Sequence, residues 1–287
     1  MLAAAVAGGI TQTAVAPIER VKVLLQTQDG NRQVLLSGKR YTGIIDCVRR
    51  VIREQGFLSL WRGNGADMMR HVPTSQLNFA FRDLYRDLLG KYDKQNDFYK
   101  FFGANLLAGA GAGATALSIT YPLDFAHTRL AADVGYGTAG RQFSGVKNVI
   151  STIYRSDGLR GLYKGFGASI QGIIVHRALY FGMYDSFKDL YIDDNEPGAL
   201  YKKWGIAQAV STTSGLVAYP FNTVRHRMMM QSGDLDAMYK STLDCWRTIF
   251  RVEGVRGFYK GALSGVMRST GAAWVLVLYD EFKKRFH

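Results

Sequence analysis

The chain has 287 residues, with 36 Lys and Arg against 23 Asp and Glu and a net charge of +13. That surplus favours an anionic partner: nucleic acid, an anionic membrane surface or an anionic small molecule. Gly numbers 32 but Pro only 5, which argues against a linker composition. No C-x-x-C or H-E-x-x-H occurs, so zinc-site chemistry is disfavoured and no metal is expected; Cys47 and Cys245, each after an Asp, read as inert equivalent thiols.

Residues 1–18 carry no charge, and neither do 103–123 or 204–224. As helices, at ~1.5 Å per residue, each crosses most of a ~30 Å hydrocarbon core. The small-residue runs 3–9 and 109–113 suit close helix–helix approach in lipid. No cleavable signal is visible, and the chain opens inside an apolar run, as expected of a chain whose first residues are missing. Each uncharged run meets a proline, in Pro17-Ile18-Glu19-Arg20-Val21-Lys22, Pro122-Leu123-Asp124-Phe125-Ala126-His127 and Pro220-Phe221-Asn222-Thr223-Val224-Arg225. An acidic or small polar residue stands two places after each proline, and a basic or imidazole residue five places after it. The prolines lie 105 and 98 residues apart. That period is too long for a solenoid repeat. It indicates one unit used three times, over 1–97, 98–194 and 195–287.

Past each motif the polar, Gly-containing stretches 27–43, 133–145 and 231–242 predict loops, and 44–53, 146–155 and 242–251 predict short amphipathic helices. A second signature follows, R-x-x-G-x4-aromatic-basic-Gly, running from Arg53 to Gly63, from Arg155 to Gly165 and from Arg251 to Gly261. Its first glycine suits a helix end in left-handed geometry. Its aromatic–basic pair suits a membrane interface. Its last glycine suits a helix start close to a neighbour, or backbone N–H groups offered to an anion. Apolar helices are then predicted at 64–90, 166–190 and 262–285. Each has an interior arginine, Arg70, Arg177 or Arg268, and ends in Asp83-x-x-Arg86, Asp185-x-x-Lys188 or Asp280-x-x-Lys283. An arginine inside a membrane helix is costly and is read as functional. Three helix–surface helix–helix units give an all-α membrane protein of six crossings with both termini on one side.

The motif P-x-[D/E]-x-x-[K/R], followed by the Gly–aromatic–basic–Gly signature three times over essentially the whole chain, resembles the mitochondrial carrier family. Arg225-His226-Arg227-Met228-Met229-Met230 resembles the R-R-R-M-M-M signature of its ADP/ATP carriers, with His226 where they have Arg. Residues 17–26, 78–81, 129–133 and 275–281 are similar to the same carriers. The resemblance implies a pseudo-threefold bundle around a central water-filled cavity in the mitochondrial inner membrane, and ADP/ATP antiport between two alternating gates. At the matrix gate it implies Lys22 with Asp124, Arg225 with Glu19 and His127 with Asn222, braced by Gln26. Both departures from charge fall on that last pair, which reads as a matched neutral replacement that weakens the gate and shifts the population towards the matrix-open state. Losing one charge alone would strand its partner. At the cytosolic gate it implies Asp83 with Lys188, Asp185 with Lys283 and Asp280 with Arg86. Between the gates Lys22, Arg70 and Arg268 would meet the phosphates. Gly172, Ile173 and His176, the last in place of the usual Tyr, would line the adenine-facing wall. Cardiolipin is expected at Gly63, Gly165, Gly261 and neighbouring helix N-termini.

No P-loop, nucleophile–base pair or cofactor motif is present, so neither an enzyme nor a cofactor is expected. Two other functions fit the same residues: a carrier for another nucleotide or anion, and a carrier-fold structural subunit of a respiratory membrane complex with reduced or no transport. A nucleic-acid-binding protein is disfavoured, because the charges follow gate and interface positions rather than one stripe.

Overall fold

The computed structural model describes residues 2–38, 40–90, 92, 97–135, 141–191, 199–233 and 238–270, and among these no strand occurs. The long helices are α1 (Leu2–Thr27), α4 (Asn64–Leu89), α5 (Phe98–Ala132), α7 (Phe166–Tyr191) and the pair α8 (Ala199–Val217) and α9 (Tyr219–Met230). Between them lie the short helices α2 (Arg32–Ser37), α3 (Ile44–Gln55), α6 (Val146–Leu162), α10 (Thr242–Glu253) and α11 (Val255–Phe258), and a further helix occupies 262–270. The stretch Tyr99–Ala132 is long and apolar enough to cross a bilayer. Helices α1 and α5 continue through Pro17 and Pro122. The third repeat instead breaks at Ala218 and restarts as α9. That places Pro220 in a first turn, where its missing N–H leaves no intrahelical bond unmade. Helix α2 lies inside a predicted loop. Its six residues are too few to show a periodic face, and it is fixed by its ends: the Asn31 side chain accepts from Gln33 N, and Gly38 closes it at φ 66°.

The described helices form two units. The first comprises 1–72, 120–168 and 223–287; the second comprises 73–119 and 169–222. In the first, α3 buries Cys47 and Val51 against Val21, Leu24 and Leu25 of α1. Correspondingly, α10 buries Cys245 and Ile249 against Val224 and Met228 of α9. Burial pushes both thiols up to about 12, which keeps them protonated and unreactive.

Three buried arginines tie this unit together. Arg20 donates to the carbonyls of Ala131 (3.2 Å) and Asp133 (3.3 Å). Arg129 donates to the carbonyl of Met230. Arg227 donates to the carbonyl of Gln26 at 3.3 Å. Each guanidinium thus reaches carbonyls at the C-terminal end of a helix from the next repeat, where helices leave acceptors unpaired and favour positive charge.

The repeated signature glycines are explained by backbone geometry. Gly56, Gly158 and Gly254 have φ 83°, 64° and 66° with ψ 162°, −158° and −164°. The expected left-handed helical geometry is therefore replaced by an extended, positive-φ region that is essentially restricted to glycine. The following glycines, Gly63, Gly165 and Gly261, have φ 91°, 86° and 80°. A Cβ on Gly165 would lie 2.8 Å from the Arg225 carbonyl, and one on Gly63 would lie 3.2 Å from the Ala131 nitrogen.

In the second unit, a Cβ on Gly111 or Gly113 would sit 3.4 Å from the Tyr85 ring or 3.1 Å from Ile173. The small-residue run thus admits α4 and α7 side chains against α5.

Gly165→Ala therefore meets both a forbidden φ and a backbone oxygen, at a cost of about 1–3 kcal/mol or more. Gly167, with nothing within 4 Å, is the control. The thermal-unfolding midpoint in lipid nanodiscs falls for Gly165→Ala and hardly moves for Gly167→Ala; equal shifts would contradict the close-approach account.

Candidate functional site

The first unit gathers charge where α1, α4, α5, α9 and the helix at 262–270 meet. Glu19 and Lys22 are three residues apart on α1, and their side chains approach to 3.4 Å. The other Glu19 oxygen lies 2.7 Å from Arg268 Nε. Asp124 on α5 takes Arg225 of α9 directly and lies 3.5 Å from Arg70 Nε. Arg70 also pairs with Asp67 on its own helix. Three carboxylates (Glu19, Asp67, Asp124) thus face four fixed cations (Lys22, Arg70, Arg225, Arg268), leaving a positive surplus. Arg70 and Arg268 are the most accessible of these four side chains, at 25% and 34% exposure.

This pairing corrects the one expected from repeat order. Arg225 joins Asp124 rather than Glu19, and Lys22 joins Glu19 rather than Asp124. Glu19 and Lys22 share one helix face and meet locally, which leaves Asp124 to cations from other helices. His127, expected opposite Asn222, instead donates from Nδ1 to the Gly63 carbonyl at 3.1 Å. The carboxylates of Asp67 and Glu19 are within electrostatic reach of its ring. Asn222 falls in the second unit.

Gln26 sits beneath this cluster. Its Oε1 accepts from His226 Nδ1 at 2.7 Å, and its Nε2 reaches Thr223 Oγ1 at 3.5 Å. Thr223 in turn donates to the Phe258 carbonyl at 2.6 Å. An amide oxygen only accepts, so Nδ1 of His226 carries the proton.

Arg227, fully buried, pairs through two nitrogens with Glu253 of α10. Lys260 completes the group, 2.6 Å from both Glu253 and Asp29. Burial raises the Glu253 carboxyl, but the hydrogen bonds and charges of Arg227 and Lys260 outweigh it and hold the group at about 2. Met228, Met229 and Met230 are buried.

In the second unit, His176 stacks on Tyr180 with 6.2 Å between centroids, and Tyr180 on Tyr184 with 5.8 Å. Gly172 lies against Phe221, and Ile173 against Gly113. Asp83 and Arg86 are exposed on α4. The side chains of Asp185 and Lys188, with residues Asp280 and Lys283, lie outside the described residues, and so do the three cytosolic pairs and the 275–281 segment. Sequence reasoning missed Asp67, Thr223 and the Arg20–carbonyl contacts. For Asp67 the signal was present, an acid three residues before Arg70 and so on the same helix face.

Three repeats of long apolar helices that carry ion-paired charges in their interiors fit a repeat-built membrane transporter. The chain belongs to the mitochondrial carrier family, whose profile, Mitochondrial carrier protein, matches residues 1–93, 99–195 and 197–287. It is similar to ADP/ATP translocase 2 of Bos taurus, 55% identical over 286 residues covering 99% of this chain and 95% of that one. ADP/ATP translocase 3 of Homo sapiens is 53% identical over 286 residues, with 99% and 95% coverage. A probable ADP,ATP carrier protein of Arabidopsis thaliana is 51% identical over 291 residues, with 99% and 88% coverage.

Glu253 gives a pH signature. Its folded value, about 2, lies below its ordinary 4.5. The stability it contributes is complete above the ordinary value and is lost as pH falls from there towards 2. Glu253→Gln lowers stability at pH 7 by about 1.5–3 kcal/mol, because Arg227 and Lys260 lose the carboxylate between them and keep Asp29 as their remaining acid. It also flattens the acid limb of the unfolding midpoint measured against pH. An unchanged acid limb would contradict the assignment.

Proposed function

We propose that this chain exchanges ADP for ATP across the mitochondrial inner membrane by alternating access. The observation that carries the proposal is the cationic surplus of the first unit, in a chain whose relatives are named ADP/ATP translocases. Phosphate oxygens are anionic and accept paired hydrogen bonds from a guanidinium, as do the carboxylates that now hold Arg70 and Arg268. A nucleotide therefore takes over these arginines without stranding a buried cation. Lys22, fixed by Glu19 alone among the ion pairs described here, is the third phosphate ligand.

Opening the matrix side requires breaking Arg225–Asp124, Arg268–Glu19 and Arg70–Asp124, links that join different helices. Nucleotide binding offsets that cost only if the intermediate state is bound better than either end state. The Gln26–His226 and Gln26–Thr223 contacts brace α1 against α9 below this gate. The resemblance to the family assigns the second gate to Asp83, Arg86, Asp185, Lys188, Asp280 and Lys283. The resemblance to the family assigns the base to Gly172, Ile173 and His176. No bond is made or broken, so the chain is not an enzyme. The three repeats, 1–97, 98–194 and 195–287, act as one transmembrane domain.

An anionic lipid, cardiolipin, is the proposed structural partner. A groove of about 750 Å³ lined by Tyr41, Gly43, Ile44, Lys260, Gly261 and Leu263 supports it. Gly43 leaves the start of α3 without a side-chain cap, so its backbone N–H groups are open to a phosphate.

Arg70→Ala and Arg268→Ala each slow ADP/ATP exchange in proteoliposomes by about 10- to 100-fold, as expected for losing a charged hydrogen bond of ~1.5–3 kcal/mol. Exchange at the parental rate in either folded variant would remove that arginine from the phosphate site.

A further inference from the structure

We propose that Asp67 is a positioning residue for nucleotide exchange: its carboxylate holds Arg70 when no nucleotide is bound, and gives it up to the nucleotide phosphate. This deepens the exchange reading above and rests on it.

Asp67 lies four residues after Gly63, in the first turn of α4, and the chain's own symmetry marks it as special. The same place after Gly165 is Ser169, and after Gly261 it is Gly265. An acid stands there in the first repeat alone. The gate motif supplies acids at Glu19 and Asp124 but Asn222 in the third repeat, so Asp67 brings the carboxylate count to three from a different helix. Its side chain is 9% exposed and pairs with Arg70, whose Nε is also 3.5 Å from Asp124. Asp124 already takes Arg225. A carboxylate buried this deeply is costly without a counter-charge, and when Arg70 leaves Asp67 the His127 ring is the second basic group within electrostatic reach. Asp67 faces two basic groups, Arg70 and His127, with Glu19 the acid nearby.

Two consequences follow. Nucleotide competes with Asp67 for Arg70, so the fraction of protein ready for phosphate is reduced and the apparent affinity falls by that fraction. Asp67 also offers Arg70 a ready partner when nucleotide leaves, which speeds release. Removing the charge therefore tightens binding and slows turnover together, a combination that a purely structural residue does not produce.

The test uses the full chain in proteoliposomes and in detergent. ADP affinity is measured by calorimetry, exchange by labelled ADP uptake, and folding by the unfolding midpoint. Asp67→Asn lowers the ADP Kd and KM by about 5- to 10-fold and lowers the maximum exchange rate. Asp67→Ser, carrying the residue of the second repeat, does the same, and Asp67→Glu restores parental values. In an Arg70→Ala background the affinity gain disappears. Unchanged or weaker ADP binding in folded Asp67→Asn and Asp67→Ser overturns the proposal, as does a gain that persists without Arg70. Calorimetry decides this even if the parental chain binds ADP without exchanging it, an outcome that would sink the exchange reading alone.

Discussion

Everything in the first unit depends on three guanidinium groups that have left water. Arg20, Arg129 and Arg227 are buried, and each donates to carbonyl oxygens where a helix of another repeat ends. The sense is cyclic: the first repeat holds the second, the second holds the third, and the third holds the first. A buried cation is tolerable only when its donors are satisfied, and helix C-termini supply unpaired acceptors together with a favourable dipole. Arg227 adds a paired carboxylate, Glu253, through which α10 is fastened to α9.

This ring gives the gate its rigidity. It holds the ends of α1, α5 and α9, the helices that carry Glu19, Lys22, Asp124 and Arg225. The signature glycines serve the same end, because only a residue without Cβ lets the chain entering α7 pass so close to the Arg225 carbonyl. The gate itself is built from links that are exchangeable. A carboxylate and a nucleotide phosphate can both hold an arginine through paired hydrogen bonds, so in the proposed exchange the arginines stay paired while their carboxylates turn to the remaining basic groups of the cluster. In the proposed exchange the two sets divide the labour: donors to carbonyls fix the helices, and cations on carboxylates move.

Much of this was legible in the sequence, because the chain is its own comparison set. Three copies of the proline motif and of the glycine signature located the long helices and singled out Glu19, Lys22, Asp124 and Arg225, which the structure brings into one cluster. The direction of pairing was not legible. Three motifs, each offering a residue two places and another five places after its proline, can pair round a ring in either sense, and the choice depends on how the helices pack rather than on spacing. Repeat order points Lys22 to Asp124, whereas its ion-pair partner is Glu19 on the same face. Asp67 was passed over because the repeats carry no acid at its place, so the symmetry that exposed the gate concealed it. The geometry of Gly56, Gly158 and Gly254 was half legible: a repeated glycine demands positive φ, but ψ is set by where the next segment must go.

The central claim is obligatory nucleotide exchange through the cationic cluster of the first unit, and labelled ADP uptake by proteoliposomes carrying the parental chain tests it most directly. Vesicles loaded with ATP and vesicles loaded with buffer alone are compared at equal protein content. The account predicts rapid uptake into the ATP-loaded vesicles and close to none into the empty ones, because a cluster emptied of phosphate returns to its carboxylates and stays closed. Equal uptake into both, or uptake into neither by folded protein, would contradict it.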